Sequence, residues 1–265
     1  MYDTNISMLT MQPFCMASTD VFKKVQYNNG RFISHTAFFH IPRDSSIRLV
    51  PDCFSTVLFS ASGRCGPMLI TPVTQPGQSF PLPADEYYSV KLSPYASYAV
   101  YHLIAQIPNF PNRVLPAEEV FSDIGTVTEQ ILNPSGQSNM LTVLPAYFMH
   151  QFRFAPFAQH MDKLISLIML SNCTITEKEL SEKSGLSSRY IYQLFTDKTG
   201  CSPKMFSRIL RFQNALFKLL SRTRTESAPY ELNYYDQSHF LKEFQKFCGI
   251  LPSEMQKLMA GHPVD

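Results

Sequence analysis

The sequence predicts an α+β protein in which a β-rich N-terminal part, residues 1–170, precedes an all-α C-terminal part, residues 171–265. Three observations place the division there. Fifteen of the nineteen prolines precede residue 171. Short strand-like segments give way to apolar residues at helical spacing. The charge also changes, from 10 Lys and Arg against 11 Asp and Glu before the division to 13 against 10 after it.

Composition excludes several classes of protein. Hydrophobic residues make up 45% of the 265 residues and charged ones 17%, which favours a globular chain over a disordered one. Apolar runs are shorter than the ~20 residues of a membrane span, and the first residues do not resemble a secretion signal. The six cysteines are scattered, so we expect reduced thiols in a cytoplasmic protein.

The N-terminal part contains short β-rich segments separated by proline and glycine, typical of a barrel-like or sandwich fold. These segments are residues 31–40, 50–59, 68–71 and 87–92. Helical periodicity begins near Ala117 and predicts helices over residues 117–132 and 140–148. A further helix is predicted by the one-sided apolar set Met161, Leu164, Ile165, Ile168 and Met169.

The sequence gives little support for an enzyme or a metal-binding protein. The chain lacks the common phosphate-loop, nucleophile-elbow and zinc-protease motifs, so we predict neither a catalytic residue nor a cofactor. His35, His40 and His102 suggest a metal site, but His35 and His40 point to opposite faces of an unbroken strand. The N-terminal aromatics are expected to form a core more often than a ligand pocket: Phe38, Phe39, Phe54, Phe59, Tyr87, Tyr88, Tyr95 and Tyr98.

The C-terminal part begins with two short helices. Thr176 and Glu179 have the spacing of a capping box, and Gly185 is placed to end the helix that follows. Ser187 can cap a second helix, which Gly200 would end. Two short helices joined by a tight turn predict either a helix-turn-helix unit or a generic helical hairpin.

The third helix favours a nucleic-acid partner. Ser202 and Pro203 are a typical cap and first helical residue. Residues 183–224 contain nine Lys and Arg against one acidic residue, and the basic side chains of this helix share one face. A solvated face usually mixes both signs, so we predict that this face contacts DNA phosphates through Lys204, Arg208 and Arg211.

The two-helix pattern is then repeated at an offset of 49 residues. Phe195, Gly200 and Pro203 correspond to Phe244, Gly249 and Pro252, and Ser187 corresponds to Asp236. A duplicated helix-turn-helix on one connecting helix predicts two recognition helices, able to enter major-groove segments ~34 Å apart.

These residues resemble the AraC/XylS family of bacterial transcription regulators over roughly residues 172–260. The most specific part is the string from Tyr234 to Phe240, followed by Phe244, Gly249 and Pro252. The other matching residues are Leu186 to Ile191, Phe195, Thr199 to Pro203, Arg211 and Ala215.

The resemblance implies sequence-specific binding of double-stranded promoter DNA and places base-reading residues in the second helix of each unit. Arginine and lysine suit guanine, glutamine suits adenine, and an apolar group suits the thymine methyl. The implied positions are Ser188, Arg189, Tyr192 and Gln193 in the first unit and Gln237, Ser238, Leu241 and Lys242 in the second.

The second unit departs from the family pattern. Asn233 stands where the family prefers glycine, and the preceding stretch is short and contains Pro229, which is unfavourable inside a helix. Weak DNA reading by this unit, or folding of the unit only on DNA, therefore stays open.

The N-terminal part resembles the β-rich sensory domains of some AraC-type regulators at residues 50–54, 57–59 and 87–98, without the usual glycine and aspartate after Pro51 and Asp52. This implies an effector-sensing or dimerisation domain that modulates the DNA-binding domain of residues 171–265. The effector is unknown, and contact with RNA polymerase and homodimer formation stay open. Two alternatives also remain: a barrel-type enzyme or metal protein with a helical appendage, and a protein-binding module that has lost DNA readout.

Overall fold

The computed structural model describes residues 24–27, 33–42, 46–92, 96–97, 100, 107, 109–132, 140–151, 158–220 and 234–259. Its strands are β1 Lys24–Tyr27, β2 Ile33–Ile41, β3 Ser46–Leu49, β4 Thr56–Ser60, β5 Met68–Ile70, β6 Gln78–Pro81, β7 Asp85–Leu92 and β8 Val114–Pro116. A 3-10 turn, Ala117–Glu119, precedes the helices α1 Ile124–Leu132, α2 Met140–Gln151, α3 Ala158–Leu170, α4 Glu177–Ser184, α5 Ser188–Thr199, α6 Pro203–Leu220, α7 Gln237–Cys248 and α8 Pro252–Met259.

The strands form two antiparallel sheets. One has six strands in the order β1-β2-β7-β4-β5-β8, and the other pairs β3 with β6. In the part of the chain that the structure describes, the larger sheet is open, with β1 and β8 at its edges. The predicted α+β class is confirmed, but "barrel-like" describes the N-terminal part only loosely because the sheets do not close.

Both faces of the six-stranded sheet are buried at strand β4, which explains why the sequence of this strand is a continuous apolar run. Val57 and Phe59 belong to a large cluster shared with the helices, whereas Leu58 packs with Ile47 and Phe80 of the smaller sheet. Alternating side chains of a strand face opposite sides, so a strand covered on both sides needs apolar residues at every position. The predicted aromatic core is confirmed for Phe39, Phe54, Phe59 and Tyr87, which are all buried.

The predicted strand over residues 50–59 is wrong in its first half. Strand β4 begins only at Thr56, and residues 50–55 form a buried loop. The amides of Asp52 and Cys53 both donate to the carbonyl of Val73, at 2.9 and 3.2 Å, and Cys53 has a left-handed φ of +62°. A left-handed residue interrupts the extended backbone that a sheet ladder needs.

The predicted helix over residues 117–132 is also partly wrong, because only its second half is α-helical. The first three residues form the 3-10 turn, and α1 begins at Ile124. The helices predicted over residues 140–148 and through Met161 to Met169 are confirmed as parts of α2 and α3.

Capping fixes the ends of the C-terminal helices as the sequence predicts. Thr176 and Glu179 form a capping box at the start of α4. Ser187 and Asp236 accept hydrogen bonds from the amides of the third helical residues of α5 and α7. Gly185, Gly200 and Gly249 end their helices in the left-handed conformation. Side-chain caps of this kind stabilise a helix by about 1 kcal/mol each.

The predicted boundary between the N- and C-terminal parts lies at a turn, but the hydrophobic core continues across it. Helix α3 ends at Leu170, and the turn that follows contains Asn172 and Cys173 with φ of +51° and +62°. One hydrophobic cluster nevertheless includes residues of both parts, and the rings of Phe54 and Phe206 lie 6.3 Å apart. Two separate domains, residues 1–170 and 171–265, therefore stay a prediction.

Several predictions concern residues outside those described, including His102, Tyr95, Tyr98, Pro229 and Asn233. Among the described residues, no three His, Cys, Asp or Glu side chains are grouped so that they could hold a metal ion. His35 and His40 lie in a stretch of regular pairing and therefore point to opposite faces of β2. None of the described helices is long and apolar enough to cross a membrane.

His35 should make the stability of the fold depend on pH. Burial and the neighbouring Lys91 cation lower its pKa from 6.5 to about 3, so the unfolded chain binds this proton at a higher pH than the folded chain. Stability should therefore fall as the pH drops below 6.5, by up to ~1.4 kcal/mol per pH unit from this residue. Urea unfolding at pH 7 and pH 5 would measure the slope. The variant His35→Gln should have a shallower slope, and the exposed control His150→Gln should not.

Candidate nucleic-acid interface

The first candidate recognition helix, α5, presents a polar face to solvent. Ile191, Leu194 and Phe195 are buried on one side of the helix, and the ring of Phe195 lies 5.1 Å from that of Phe206 in α6. This packing turns the other side outward. The four residues predicted to read bases are all exposed there: Ser188, Arg189, Tyr192 and Gln193.

The second candidate recognition helix, α7, repeats this arrangement. Phe240, Phe244 and Phe247 are buried, and the rings of Phe244 and Phe247 lie 5.4 and 5.3 Å from that of Phe212 in α6. Of the predicted base-reading residues, Gln237, Ser238 and Lys242 are exposed, while Leu241 is half-buried against the core. The structure therefore places polar side chains on the open faces of both helices.

Helix α6 connects the two units, and its basic residues are not equivalent. Lys204 is exposed, but Arg208 and Arg211 form ion pairs with Glu243 of α7. Arg208 Nε lies 3.1 Å from one carboxylate oxygen of Glu243, and Arg211 Nη2 lies 3.0 Å from the other. Lys204 is therefore free to make the predicted phosphate contact. Arg208 and Arg211 could contact a phosphate only by weakening or breaking their ion pairs with Glu243.

Aromatic rings complete the surroundings of these arginines. The guanidinium of Arg211 lies 4.6 Å from the ring centre of Tyr234, and that of Arg208 lies 5.5 Å from the ring centre of Phe247. Burial raises the pKa of Tyr234, and the Glu243 carboxylate adds to the shift. The sequence analysis did not predict the role of Glu243. Its position among Phe240, Phe244 and Phe247 could have indicated it, because a buried carboxylate usually pairs with a cation.

The N-terminal part contacts the C-terminal ends of both candidate recognition helices. A Cβ atom on Gly200, after α5, would collide with Cγ of Pro111, so a side chain does not fit there. Arg48 donates a hydrogen bond to the carbonyl of Cys248, the last residue of α7, at 3.2 Å. Gln213 of α6 also donates to the carbonyl of Pro51, at 2.6 Å. These contacts fix both units relative to the N-terminal part.

Two short capped helices, of which the second is exposed, and a further capped and exposed helix, α7, are typical of DNA-binding helix-turn-helix proteins. Consistent with this, residues 180–258 match the family model for a helix-turn-helix domain. The C-terminal part is thus similar to a helix-turn-helix domain, as the sequence predicts.

Comparison with solved structures finds ToxT from Vibrio cholerae. The wild-type protein with a bound unsaturated fatty acid is 10% identical, with a TM-score of 0.51 over 91% of this chain and 100% of ToxT. ToxT from strain O395 is 12% identical, with a TM-score of 0.48 over 92% of this chain and 96% of ToxT. The first of these likenesses supports a shared fold. Comparison with curated protein sequences gives no match.

Proposed function

We propose that this protein binds specific promoter DNA through α5 and α7, with bases read by Arg189 and Gln193 in the first unit and by Gln237 in the second. The observation that carries this proposal is the outward polar face on both helices, each held by aromatic packing on α6. Ser188, Tyr192, Ser238, Leu241 and Lys242 lie beside these readers. Side chains on a helix in the major groove need to be free of the core to reach base edges.

Affinity in this proposal comes from phosphate contacts, of which Lys204 makes the principal one. Lys204 lies in the first turn of α6 and is exposed. Arg208 and Arg211 keep α7 in place through Glu243 and contribute positive charge at the surface. In this proposal the ion pairs with α6 stabilise the second unit. They favour DNA reading by this unit despite Pro229 and Asn233.

The N-terminal part would modulate DNA binding in response to a small molecule. ToxT, which has the same fold, has been crystallised with an unsaturated fatty acid, so a long-chain carboxylate is the first effector class to test. The contacts of Pro111 and Arg48 with the ends of α5 and α7 provide a physical connection between the two parts. We also propose a cytoplasmic location for the protein. Homodimer formation and contact with RNA polymerase stay predictions.

The affinity of the protein for random-sequence duplex DNA should fall steeply with salt, because bound cations are released from the phosphates. Fluorescence anisotropy of a labelled duplex over a series of salt concentrations would measure this. Lys204→Ala should weaken binding to all sequences and reduce the slope of log affinity against log salt by about one. Lys178→Ala, an exposed lysine on α4, is the matched control and should leave the slope unchanged.

Absence of binding even at low salt would contradict this proposal. It would favour the alternative in which the C-terminal part has become a protein-binding module.

A further inference from the structure

Two cysteine thiols meet where the N-terminal part contacts the first helix-turn-helix unit. Cys53 lies in the loop between β3 and β4, and Cys201 lies between α5 and α6. Their sulfur atoms are 4.0 Å apart, although the residues are separated by 148 positions in the sequence. Cys53 is fully buried, and Cys201 retains 9% of its exposure.

The backbone holds each thiol in place. Cys53 has a left-handed φ of +62°, which is rare for a residue other than glycine. Its conformation is kept by the hydrogen bonds from Asp52 and Cys53 to the Val73 carbonyl. On the other side, the hydroxyl of Thr199 lies 3.4 Å from the sulfur of Cys201. Unusual backbone conformations that the surroundings maintain occur often at functional sites.

Contacts on both sides of the thiols keep the two parts together at this point. The rings of Phe54 and Phe206 meet edge to face, and Gln213 donates to the Pro51 carbonyl. A disulfide has an S–S distance of about 2.05 Å, so the two sulfurs need to approach by about 2 Å. Formation of the disulfide therefore requires rotation of the cysteine side chains together with movement of the backbone.

We propose that Cys53 and Cys201 form a reversible redox site, at which a small peroxide produces a disulfide that joins the N-terminal part to the first helix-turn-helix unit. The bond links the loop before β4 to the start of α6. It thereby fixes the position of α5 relative to the sheets.

The chemistry uses one peroxide molecule for the two thiols. The Cys201 thiolate attacks one oxygen of hydrogen peroxide, so that an S–O bond forms and the O–O bond breaks. The hydroxide that leaves takes up the proton that the Cys201 thiol lost and becomes water. The sulfur of Cys53 then attacks the sulfenic sulfur of Cys201. The S–S bond forms, the S–O bond breaks, and the second water leaves with the proton of Cys53. The thiols lose two electrons, and the peroxide gains them.

The environment of the two thiols suits these separate roles. The hydrogen bond from Cys53 lowers the pKa of Cys201 despite the opposing effect of burial, whereas burial raises the pKa of Cys53. Cys201 is therefore the better nucleophile, and it is also the more accessible thiol of the pair. Burial raises the pKa of Cys173 and of Cys248 to about 12, which makes both poor competitors.

The test uses the full-length protein, first reduced, then treated with hydrogen peroxide, alkylated and digested. Mass spectrometry should find a peptide that links Cys53 to Cys201 and is lighter by two hydrogen atoms, and dithiothreitol should reverse the linkage. The melting temperature of the oxidised protein should rise by roughly 5 °C or more relative to the reduced protein. Cys201→Ser should abolish both effects, and the matched control Cys65→Ser should retain them.

Oxidation of Cys201 only to sulfinic or sulfonic acid, or linkage of either residue to a different cysteine, would overturn the proposal. An unchanged melting temperature despite the Cys53–Cys201 linkage would also overturn it, because the bond would then not hold the two parts together. None of these measurements depends on DNA binding, so they remain informative whether or not the chain reads DNA.

Discussion

Replacing Lys91 with methionine should lower the free energy of unfolding by about 3–5 kcal/mol, since it leaves a buried carboxylate without its cation. Lys91 and Asp52 are 5% and 0% exposed and form an ion pair in the interior. The ammonium group also donates to the Phe54 carbonyl at 3.1 Å and to the Thr56 hydroxyl at 3.0 Å. Urea unfolding followed by circular dichroism would measure the change, because the chain has no tryptophan for fluorescence.

The double variant Lys91→Met with Asp52→Asn removes both charges of the ion pair. Comparison with Lys91→Met therefore shows how much of the loss in unfolding free energy comes from leaving Asp52 charged, buried and unpaired. The double variant should regain most of the lost stability, because the asparagine carbonyl can still accept the hydrogen bond that Asp52 Oδ1 receives from the Phe54 amide. Lys178→Met is the control: this lysine is exposed and its ion pair with Glu182 is long, so the change should stay within about 0.5 kcal/mol. If Lys91→Met were as stable as the wild type, the ion pair between Lys91 and Asp52 would not stabilise the fold.

Replacing Glu243 with alanine should have a similarly large effect, concentrated in the second helix-turn-helix unit. Its side chain is 4% exposed and accepts hydrogen bonds from Arg208 and Arg211. Its removal leaves two partly buried guanidinium groups without their carboxylate, at a cost of about 3–5 kcal/mol. Hydrogen exchange should show faster exchange of the amides of α7, and binding to promoter DNA should weaken.

Gln245→Ala is the matched control because Gln245 is exposed on the same helix. It should change neither hydrogen exchange nor DNA affinity appreciably. The role of the Glu243 ion pairs would be contradicted if Glu243→Ala left the exchange of α7 unchanged. Stronger DNA binding by this variant would mean that Arg208 and Arg211 serve mainly as phosphate contacts that Glu243 restrains.

Local signals in the sequence were sufficient for the C-terminal helices. A capping residue such as Thr176 or Asp236 and a terminal glycine such as Gly249 act within one turn of the chain, so their effects can be read from neighbouring residues. The buried faces of α5 and α7 likewise follow from apolar residues at helical spacing. The exposed faces, which carry most of the proposed base-reading residues, lie opposite those buried faces.

Contacts between distant residues could not be predicted in this way. Lys91 pairs with Asp52, which directly precedes the left-handed Cys53, and no local pattern in the sequence predicts that loop. Arg48 and Pro111 meet the ends of α7 and α5 only because the sheets pack against the helical part. Strands β1, β3, β6 and β8 were missed, and with three or four residues each they are too short to establish an alternating pattern. Strand β5 is equally short but was included in the predicted segment 68–71.

Selection of bound duplexes from a random-sequence DNA library tests the central claim most directly, namely that α5 and α7 each read part of one site. The wild-type protein should enrich a site with two preferred segments about 10 base pairs apart. Arg189→Ala should relax preference in one segment only, and Gln237→Ala in the other, each by about 1–3 kcal/mol at the affected base. Enrichment of no sequence, or of the same sequence by the wild type and both variants, would contradict the account.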